Sequence, residues 1–581
     1  MSNVIELIPA PEAAPLTRPC FRTYDHATTL DGKQLKPGVW HHGNKRDADG
    51  NLVPVDEWLC GPLHVEAVTR SESRKADYGR LLRFRNLDDC WLTWAMPGEL
   101  LAGHPADVLR VLLHMGLKIA HRQRARVVEY IAEQSPKRRV TAATSTGWHG
   151  PELFITPLEN IGKGDAIHQA ESTADGDYGK AGTLDGWREG IAALLPGNPI
   201  LQLAIGTALA GPLLGPLNIH TGGGFHLLWD SSNGKTTAVL CAASAWGHGA
   251  HFTLKWNATA NGLEGIAALR NDGLLALDEL GQADPRYVGD VVYSVADGTG
   301  KQRAGRSSAA RRVRRWRVML LSSGEVTLET KMAEAGKRTR AGQEVRLVTV
   351  SAGRTFGAWD NLHGHPSGAS LSDALKRASS THYGHAGPEF VRQLIESGDL
   401  GRLPEMLETI REHFPAEPGQ PARVAERFAI VALALELAAG MGLLPLVQSE
   451  ATASMVGLFD GWRRERGEGP SEDRQILRAV ADFIDRHGGS RFQSVEAGAI
   501  EVRERAGYWE STDSGRLYLF TRSGLAEAAE GFELARAVRA LDGAGAIAKK
   551  EAGKHQHRKR LPDGSNPGLY WINAARLDGA N

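Results

Sequence analysis

Two short motifs, each following an apolar run, constrain this chain more than any other feature. The first, FHLLWDSSNGKTT (225–237), is an apolar run followed by a polar loop and Gly-Lys-Thr. The second, LLALDE (274–279), is an apolar run that ends in two carboxylates. Short apolar runs bounded by polar loops are typical of buried strands in a parallel sheet. The pair therefore predicts two core strands that deliver a phosphate-binding loop and two acids to one edge of a sheet.

The polar loop of the first motif is suited to hold phosphate. Its backbone amides, together with the N-terminus of the next helix, can bind phosphate oxygens. We expect Lys235 to reach the β- and γ-phosphates of ATP, and the Thr236 hydroxyl to bind Mg²⁺. The residues expected to contact the nucleotide are Asp230, Ser231, Ser232, Asn233, Gly234, Lys235, Thr236 and Thr237.

The two carboxylates of the second motif complete the expected site. Asp278 is predicted to lie in the outer coordination sphere of the metal that Thr236 binds. Glu279 is predicted to act as the general base toward the water that attacks the γ-phosphate. Gly-Lys-Thr alone would be weak evidence, but an Asp-Glu strand at this distance makes ATP and Mg²⁺ the expected cofactors.

The phosphate loop departs from the common pattern GxxxxGK[ST] at its first glycine, where this chain has Trp229. If that position requires a positive φ, tryptophan costs about 1–2 kcal/mol there and weakens nucleotide binding. One alternative is therefore a decayed ATPase that serves as a scaffold. The presence of Lys235, Thr236, Asp278 and Glu279 together argues against that alternative.

Composition limits the remaining choices. A chain of 581 residues is too long for one core, so we expect several domains. Its 68 basic and 68 acidic residues balance, so nucleic-acid binding has to come from local patches. Four cysteines lie far apart without a CxxC pair, which argues against disulfides and a zinc ribbon and fits the cytoplasm.

No membrane association is expected. The first residues lack the basic and apolar regions of a secretory signal. The most apolar stretch, 190–216, is interrupted by proline and polar residues, so it is predicted to be a buried helix instead of a membrane span.

A strongly basic segment follows the second motif. Residues 301–317 contain eight basic side chains and no acid. A solvated surface loop is one interpretation. The other is a hairpin that points into a central channel, because ring-forming ATPases often insert one between the catalytic carboxylates and the next core strand. In that case Lys301, Arg303 and Arg306 contact DNA phosphates without reading bases.

Two further features bear on the γ-phosphate. The apolar run 316–323 ends in Ser322 and Ser323, which are candidates to hydrogen-bond the γ-phosphate or its attacking water, although serines at strand ends are often turn formers. Arg346 lies in a β-like run. Its planar guanidinium suits it to complete the site of a neighbouring subunit, with ordinary pairing at a strand edge as the alternative.

The flanking regions have distinct patterns. Strand-like runs at 63–69, 78–86 and 91–97 precede helical runs at 106–120 and 124–134. Beyond the core, apolar residues at three-to-four spacing predict a helical region that contains Arg423 and Arg427, one of which could report nucleotide state if it does not simply pair with Glu426. Two helices and a basic segment before LYWIN outline a winged helix near the end of the chain. The residues expected to contact DNA backbone there are Lys549, Lys550, Lys554 and Arg558.

Together these segments resemble the family of mobile-element replication ATPases known as domain of unknown function 927, which is similar to minichromosome-maintenance-like helicases. The resemblance covers most of the chain. It rests on TGWHG (146–150), GTLDGWREGIA (182–192), PLLG (212–215), GGFH (223–226), SSNGKTT (231–237), the tract 256–285, DGTGKQRAGR (297–306), LSSGE (321–325) and AGQEVRLV (341–348). It implies a homo-hexameric ring that couples ATP hydrolysis to movement along DNA. It also strengthens the role of Arg346 in a neighbour's site, because this arginine matches the one that follows the sensor strand in similar helicases.

We therefore predict an α/β P-loop ATPase core of the AAA+ type with an α+β N-terminal domain, a helical lid and a C-terminal winged helix. The expected boundaries are a disordered tail at 1–18, the N-terminal domain at 19–160, a linker at 161–185, the core at 186–367, the lid at 368–470 and the winged helix at 471–581.

The predicted function is an ATP-dependent DNA helicase for replication of a phage, a plasmid or an integrated mobile element. One alternative is an ATPase that remodels protein, but channel loops of such machines usually present an aromatic side chain, and 298–306 has none. A second alternative is a DNA-binding replication initiator with a weak or dead nucleotide site, which only Trp229 supports.

Overall fold

The computed structural model describes residues 16–170, 176–300, 314–337, 341–466, 471–496, 502–512, 515–561 and 563–577. Most of the tail expected at 1–18 lies outside these residues, as do Lys301, Arg303 and Arg306.

Residues 20–168 form a region of strands with two helices. The elements are β1 (Cys20–Tyr24), β2 (Thr28–Leu30), β3 (Lys33–Leu35), β4 (Gly38–Arg46), β5 (Leu52–Cys60), β6 (Leu63–Arg70), β7 (Gly79–Arg85), β8 (Trp91–Pro97), α1 (Pro105–His114), α2 (Arg124–Glu133), β9 (Arg139–Ala143), β10 (Gly147–Trp148), β11 (Leu153–Ile155), β12 (Asn160–Gly162) and β13 (Ala166–His168). The three strands and two helices expected here correspond to β6, β7, β8, α1 and α2. Helix α1 ends earlier than expected because Gly116 adopts a φ of 84°.

The main N-terminal sheet has the order β13-β9-β6-β7-β8, and β1-β4-β5, β10-β11-β12 and β2-β3 form smaller sheets. Both faces of the main sheet are buried, with Leu82 and Phe84 in one apolar cluster and Leu81 in another. Strand β13 lies within the segment expected to be a linker, and it pairs in parallel with β9.

The middle of the chain alternates helices and strands around a five-stranded sheet. Its elements are α3 (Leu184–Gly190), α4 (Pro199–Ala210), β14 (Gly223–Leu228), α5 (Lys235–Ser244), α6 (Gly249–Phe252), β15 (Leu254–Lys255), α7 (Ala260–Leu269), β16 (Gly273–Asp278), α8 (Val288–Asp297), β17 (Val318–Gly324), α9 (Leu328–Ala333), α10 (Ala341–Glu344) and β18 (Leu347–Ser351). The order is β15-β16-β17-β14-β18, with every pair parallel. All five carboxyl ends therefore lie at one edge.

Helices cover both faces of this parallel sheet, which explains why its strands are continuous apolar runs. Alternate residues of β16 point to opposite sides: Leu274 and Ala276 belong to the cluster that includes α4 and α5, whereas Leu275 and Leu277 pack with α7 and α8. The sheet is thus a buried, rigid platform for the loops at its carboxyl edge.

Helix α4 accounts for the most apolar stretch of the sequence. Every residue from Ile200 to Ala210 is buried, which confirms the expectation of an interior helix. Among the helices of the described part of the chain, none combines the length and apolarity needed to cross a bilayer.

Five helices follow the sheet, as the apolar spacing predicts. They are α11 (Gly368–Thr381), α12 (Ala386–Ser397), α13 (Leu403–Arg411), α14 (Gln420–Gly440) and α15 (Glu450–Arg466). Helix α14 packs against α4 and α15, so the helical region shares one apolar cluster with the sheet. Arg427 of α14 is partly buried and donates to the carbonyl of Gly222 at 3.2 Å, at the amino edge of the sheet. Burial lowers the pKa of Arg427 to about 10, and the nearby positive charge of Arg346 contributes to this shift.

The last region combines three helices with a mixed sheet. Its elements are α16 (Ser471–His487), β19 (Phe492–Ser494), β20 (Gly507–Thr512), β21 (Gly515–Phe520), α17 (Arg522–Ala528), α18 (Leu534–Gly543), β22 (Ile547–Lys549), β23 (His557–Arg558) and β24 (Gly568–Asn573). The sheet order is β19-β20-β21-β24-β22, with β23 also paired to β24. The two helices expected from the sequence are α16 and α18, and LYWIN lies in β24.

A buried ion pair joins the N-terminal region to the amino edge of the central sheet. The Asp272 carboxylate, which has no exposed surface, accepts from Arg317 Nε at 2.7 Å and from Nη2 at 2.9 Å. It also accepts from the backbone amide of Trp148 at 3.1 Å. The turn of the TGWHG segment is therefore fixed to the start of β16 by one carboxylate.

Replacing Asp272 with Asn should lower the free energy of unfolding by about 3 kcal/mol, because it leaves Arg317 partly buried without a counter-charge. Chemical denaturation of the purified protein measures this change. Asp460→Asn is a matched control, since the Asp460–Arg463 pair at 3.7 Å is about half exposed and should contribute about 1 kcal/mol or less. A loss of less than about 1 kcal/mol for Asp272→Asn would contradict the structural role assigned to this pair.

Candidate active site

The predicted phosphate-binding loop connects β14 to α5. Two of its residues adopt positive φ, Ser232 at 61° and Gly234 at 94°. Gly234 precedes the first turn of α5, and a Cβ there would lie 2.9 Å from the ring of Trp359. The loop is braced from the same side, because the Ala358 amide donates to the Asn233 carbonyl at 2.7 Å. The loop conformation is thus fixed both by its own sequence and by the segment after β18.

Lys235 points back into this loop. Its side chain is buried, and Nζ donates to the Asp230 carbonyl. Burial lowers the pKa of Lys235, and the nearby carboxylates of Glu325, Glu279 and others oppose that shift. An ammonium enclosed by loop carbonyls and surrounded by acids is arranged to receive the negative charge of a polyphosphate.

Asp278, at the end of β16, is the acceptor on which the site converges. Its Oδ1 accepts from Thr236 Oγ1 at 3.0 Å and from Ser323 Oγ. Its Oδ2 lies 2.5 Å from Lys255 Nζ. Burial would raise the pKa of Asp278, but the hydrogen bonds from Lys255, Ser323 and Thr236 outweigh burial and hold this pKa below its ordinary value. The carboxylate therefore stays ionised beside the Thr236 hydroxyl, as a site for a divalent cation requires.

Glu279 adopts an unusual backbone conformation. Its φ of 65° and ψ of 72° place it in the left-handed region, directly after β16. Such a conformation costs about 1–3 kcal/mol for a non-glycine residue and is found preferentially at functional sites. Glu279 lies at the carboxyl edge of the sheet, between Asp278 and the helical turn Leu280–Gln282.

The structure separates the two sensor candidates. Ser323 points to Asp278, whereas Ser322 lies on the other face of the strand, where it is bonded to His226 Nδ1 at 3.0 Å and to Trp256 Nε1 at 2.8 Å. The position of Ser323 suits a group that contacts nucleotide or metal-bound water. Ser322 is enclosed by its two partners in the interior.

Sequence reasoning missed His226. This fully buried histidine of β14 contacts Ser322 through Nδ1 and the Val326 carbonyl through Nε2, both at 3.0 Å. It thereby holds the turn that contains Ser323 and Glu325 from both sides. Burial lowers the pKa of His226 to about 4, so the ring stays neutral. The available signal was a single polar residue within the apolar run GGFHLL.

Trp229 proves to be accommodated without strain. Its φ is not positive, so the position does not require glycine. The indole packs over Gly353, where a Cβ would overlap the ring. The Trp229 amide also lies 3.4 Å from the Gly324 carbonyl, which keeps the start of the loop beside β17. Tryptophan at the start of the loop is thus matched by glycine at the end of β18.

The predicted DNA-contacting segment lies outside the described residues, but its base is defined. Gly300 donates its amide to the Arg314 carbonyl at 2.9 Å, and Trp316 donates to Gly298 at 2.9 Å. Thr299 and Arg315 form an antiparallel bridge between them. The segments 298–300 and 314–316, through which the chain leaves and re-enters the core, therefore lie next to each other.

Arg346 lies at the opposite edge of the sheet from the phosphate loop of its own chain. It precedes β18, one strand length of about 16 Å from that strand's carboxyl end. Its guanidinium carbon lies 4.1 Å from the centre of the Tyr293 ring, and Nη2 lies 3.8 Å from Asp297. The structure does not bring Arg346 to the residues of its own site.

The four predicted DNA contacts of the last region lie on its surface. Lys549 stacks over the Trp571 ring at 4.2 Å, and Lys550 pairs with Asp542 at 2.8 Å. Lys554 and Arg558 are exposed between β22 and β24. These four exposed residues therefore lie within one segment, from β22 to β23.

The parallel sheet, the loop after β14 and the convergent Asp278 are compatible with a P-loop-like α/β core. Residues 28–315 match the family described as Domain of unknown function (DUF927), and the chain belongs to this family. No curated protein matches the chain by sequence. The fold is similar to a solved structure described as "SCCmec type IV Cch - active helicase", with a TM-score of 0.67 and 16% identity over 96% of this chain and 98% of that one.

Gly353→Ala should weaken binding of Mg·ADP by about tenfold, because the new methyl displaces Trp229 and with it the start of the phosphate loop. Titration with a fluorescent ADP analogue measures the affinity. Adding Trp229→Gly to Gly353→Ala should recover most of the loss, since the two positions are coupled. Gly401→Ala is the control, because a Cβ there meets no atom within 4 Å. Equal affinities for Gly353→Ala and wild type would refute the proposed fit.

Proposed function

We propose that this chain is an ATP-dependent DNA helicase of the AAA+ type, which works as a homo-hexameric ring in replication of a phage, a plasmid or an integrated mobile element. The observation that carries the proposal is the contact at 3.0 Å between Thr236, in the first turn of α5, and Asp278, the last residue of β16. This pair, next to the buried Lys235 and the amides of the loop after β14, suits Mg·ATP.

Each residue of the site has a distinct proposed role. Lys235 leaves the Asp230 carbonyl and binds the β- and γ-phosphates. Thr236 would bind a magnesium ion directly and Asp278 would hold it through its water shell, and the ion would neutralise phosphate charge. Glu279 accepts the proton of the attacking water, and Ser323 orients that water or the γ-phosphate. The loop from Asp230 to Thr237 supplies amide donors around the phosphates.

Strand order supports the AAA+ assignment. In the order β15-β16-β17-β14-β18, β17 lies between the strand that leads to the phosphate loop and the strand that ends in Asp278. This insertion places Ser323 directly between the loop and the acids. The paired base at 298–300 and 314–316 supports a hairpin after α8. We propose that Lys301, Arg303 and Arg306 of this hairpin contact single-stranded DNA in the central channel of the ring.

The position of Arg346 supports a ring. An arginine at the amino edge of the sheet cannot reach its own nucleotide, but it can reach that of a subunit packed head to tail. Tyr293 and Asp297 hold the guanidinium near the surface. We therefore assign Arg346 to the γ-phosphate of the adjacent subunit.

The last region supports a second contact with DNA. Its elements α16, α17, α18, β22 and β24 are compatible with a winged helix, in which β21 pairs with β24. Lys549, Lys550, Lys554 and Arg558 then lie on the wing, where they bind the backbone of duplex DNA.

The two alternatives differ from this proposal in their support. A dead nucleotide site was favoured by Trp229 alone, and the fit of that residue on Gly353 removes the argument. A protein remodeller shares the same ATPase core, so DNA stimulation of ATP turnover distinguishes it. The absence of stimulation by single-stranded DNA at low salt would favour the remodeller, since phosphate contacts are strongest there.

Glu279→Gln should lower DNA-stimulated ATP turnover by about 10²- to 10⁴-fold and abolish strand displacement, because the attacking water loses its base. Binding of Mg·ATP should persist. Glu408→Gln, in an exposed pair with Arg411 on α13, is the matched control. A Glu279→Gln protein that unwinds DNA as well as wild type would show that the base is assigned wrongly.

Mixing two inactive variants tests the shared site. Arg346→Ala subunits keep their phosphate loop, and Lys235→Ala subunits keep their arginine, so an equimolar mixture should regain about a quarter of wild-type turnover at the interfaces where the intact halves meet. Each variant alone should be nearly inactive. No recovery in mixed assemblies, or a monomeric mass in every nucleotide state, would contradict the ring.

A further inference from the structure

Lys255 lies against the central carboxylate of the site without belonging to either motif. It is the last residue of β15 and the register partner of Asp278. Its Nζ lies 2.5 Å from Asp278 Oδ2, although its own side chain is 51% exposed and that of Asp278 only 5%. A half-exposed cation therefore neutralises a buried anion.

The backbone that carries Lys255 is firmly held. The amide of the next residue, Trp256, donates to the Asp278 carbonyl at 3.3 Å, and its indole Nε1 donates to Ser322 at 2.8 Å. The Trp256 side chain is buried in the cluster under β16. Only the flexible methylene chain of Lys255 separates this anchored backbone from the carboxylate, so the ammonium can leave without disturbing the sheet.

The hydrogen-bond partners of the two Asp278 oxygens indicate that Lys255 takes the place of a magnesium ion. Oδ1 already accepts from Thr236 and Ser323, which leaves Oδ2 as the oxygen available to the water shell of a magnesium ion. Lys255 holds that oxygen. Two cations at one carboxylate repel each other, and the repulsion is strong where Asp278 is shielded from solvent. The ammonium and the magnesium ion therefore compete for one position.

We propose that Lys255 is an internal counter-ion for Asp278, which keeps the metal position ordered in the nucleotide-free protein and is displaced when Mg·nucleotide binds. Lys255 is thus a positioning residue that sets the magnesium requirement. The inference rests on the nucleotide site proposed above. Metal binding would then carry the cost of displacing Lys255 from Asp278, and the metal-free state would be defined by the contact between these two side chains.

Magnesium titration tests the competition directly. Fluorescent ADP is held at a fixed concentration with metal-stripped protein, and binding is followed as Mg²⁺ is added. Lys255→Gln should lower the Mg²⁺ concentration for half-maximal binding by about three- to tenfold, because the competing charge is absent. Lys255→Arg keeps the charge and should stay within about twofold of wild type. A requirement that is unchanged or increased in Lys255→Gln, or shifted equally in both variants, overturns the proposal.

Lys376→Gln is the matched control. Lys376 is 50% exposed and lies 3.7 Å from Asp373 on α11, so this variant removes an equally exposed lysine from a carboxylate outside the site. Its magnesium requirement should equal that of wild type. Lys255→Met provides a second neutral variant if Lys255→Gln folds poorly, with the same expected shift.

Thermal melting gives a readout that does not depend on turnover. In excess chelator, Lys255→Gln should melt a few degrees below wild type, because Asp278 is then buried with one counter-charge fewer. Saturating Mg·ADP should close that gap. A gap of equal size with and without Mg·ADP would indicate a purely structural lysine and overturn the proposal.

The same titration separates the two levels of inference. If wild type binds no ADP at any Mg²⁺ concentration, the nucleotide site itself is wrong. If wild type binds, Lys235→Ala does not, and Lys255→Gln follows the wild-type curve, only the role of Lys255 is refuted.

Discussion

The organisation of the central sheet depends on one buried carboxylate, that of Asp278. It ends β16 and accepts hydrogen bonds from a hydroxyl of the helix after β14, a hydroxyl of β17 and the ammonium of the lysine that ends β15. It therefore connects the carboxyl ends of these four strands. A buried charge is costly unless its oxygens are fully bonded. The three donors satisfy that requirement, and in doing so they fix the relative positions of the loops that would contact phosphate.

Strand β16 carries a second buried acid at its other end. Asp272 binds Arg317 and the amide of Trp148, and thereby attaches the N-terminal region to the amino edge of the sheet. The six residues from Gly273 to Asp278 thus run between two carboxylates with different partners. The N-terminal region and the candidate nucleotide site consequently contact opposite ends of the same strand, β16, although they are far apart in sequence.

The sequence predicted those features whose cause is local. The loop between a strand and a helix at 229–234, the strand that ends in Asp278 and the buried helix α4 each follow from a short run of residues, because turn residues and apolar runs can be recognised without knowledge of their partners. The sequence could not predict which of Ser322 and Ser323 faces the site. Strand β17 is apolar on both faces, so it has no alternation of polar and apolar residues that would mark the face toward the site. The contacts of Lys255 and the fit of Trp229 on Gly353 depend on strand order, which no local pattern contains. Placement of β13 in the main sheet was also missed, because its three residues are too short for a periodic signal.

Strand β18 has a consequence for communication between subunits. The segment after its carboxyl end braces the phosphate loop through Ala352, Gly353 and Ala358, and its amino end begins directly after Arg346. It is paired in parallel with β14 along its whole length, so a shift at one end would be transmitted to the other. In a ring, nucleotide binding in one subunit would therefore shift Arg346 at the other end of about 16 Å of extended backbone, and so affect the nucleotide site of the adjacent subunit. Such coupling needs no hinge, and it would impose an order in which neighbouring subunits hydrolyse ATP.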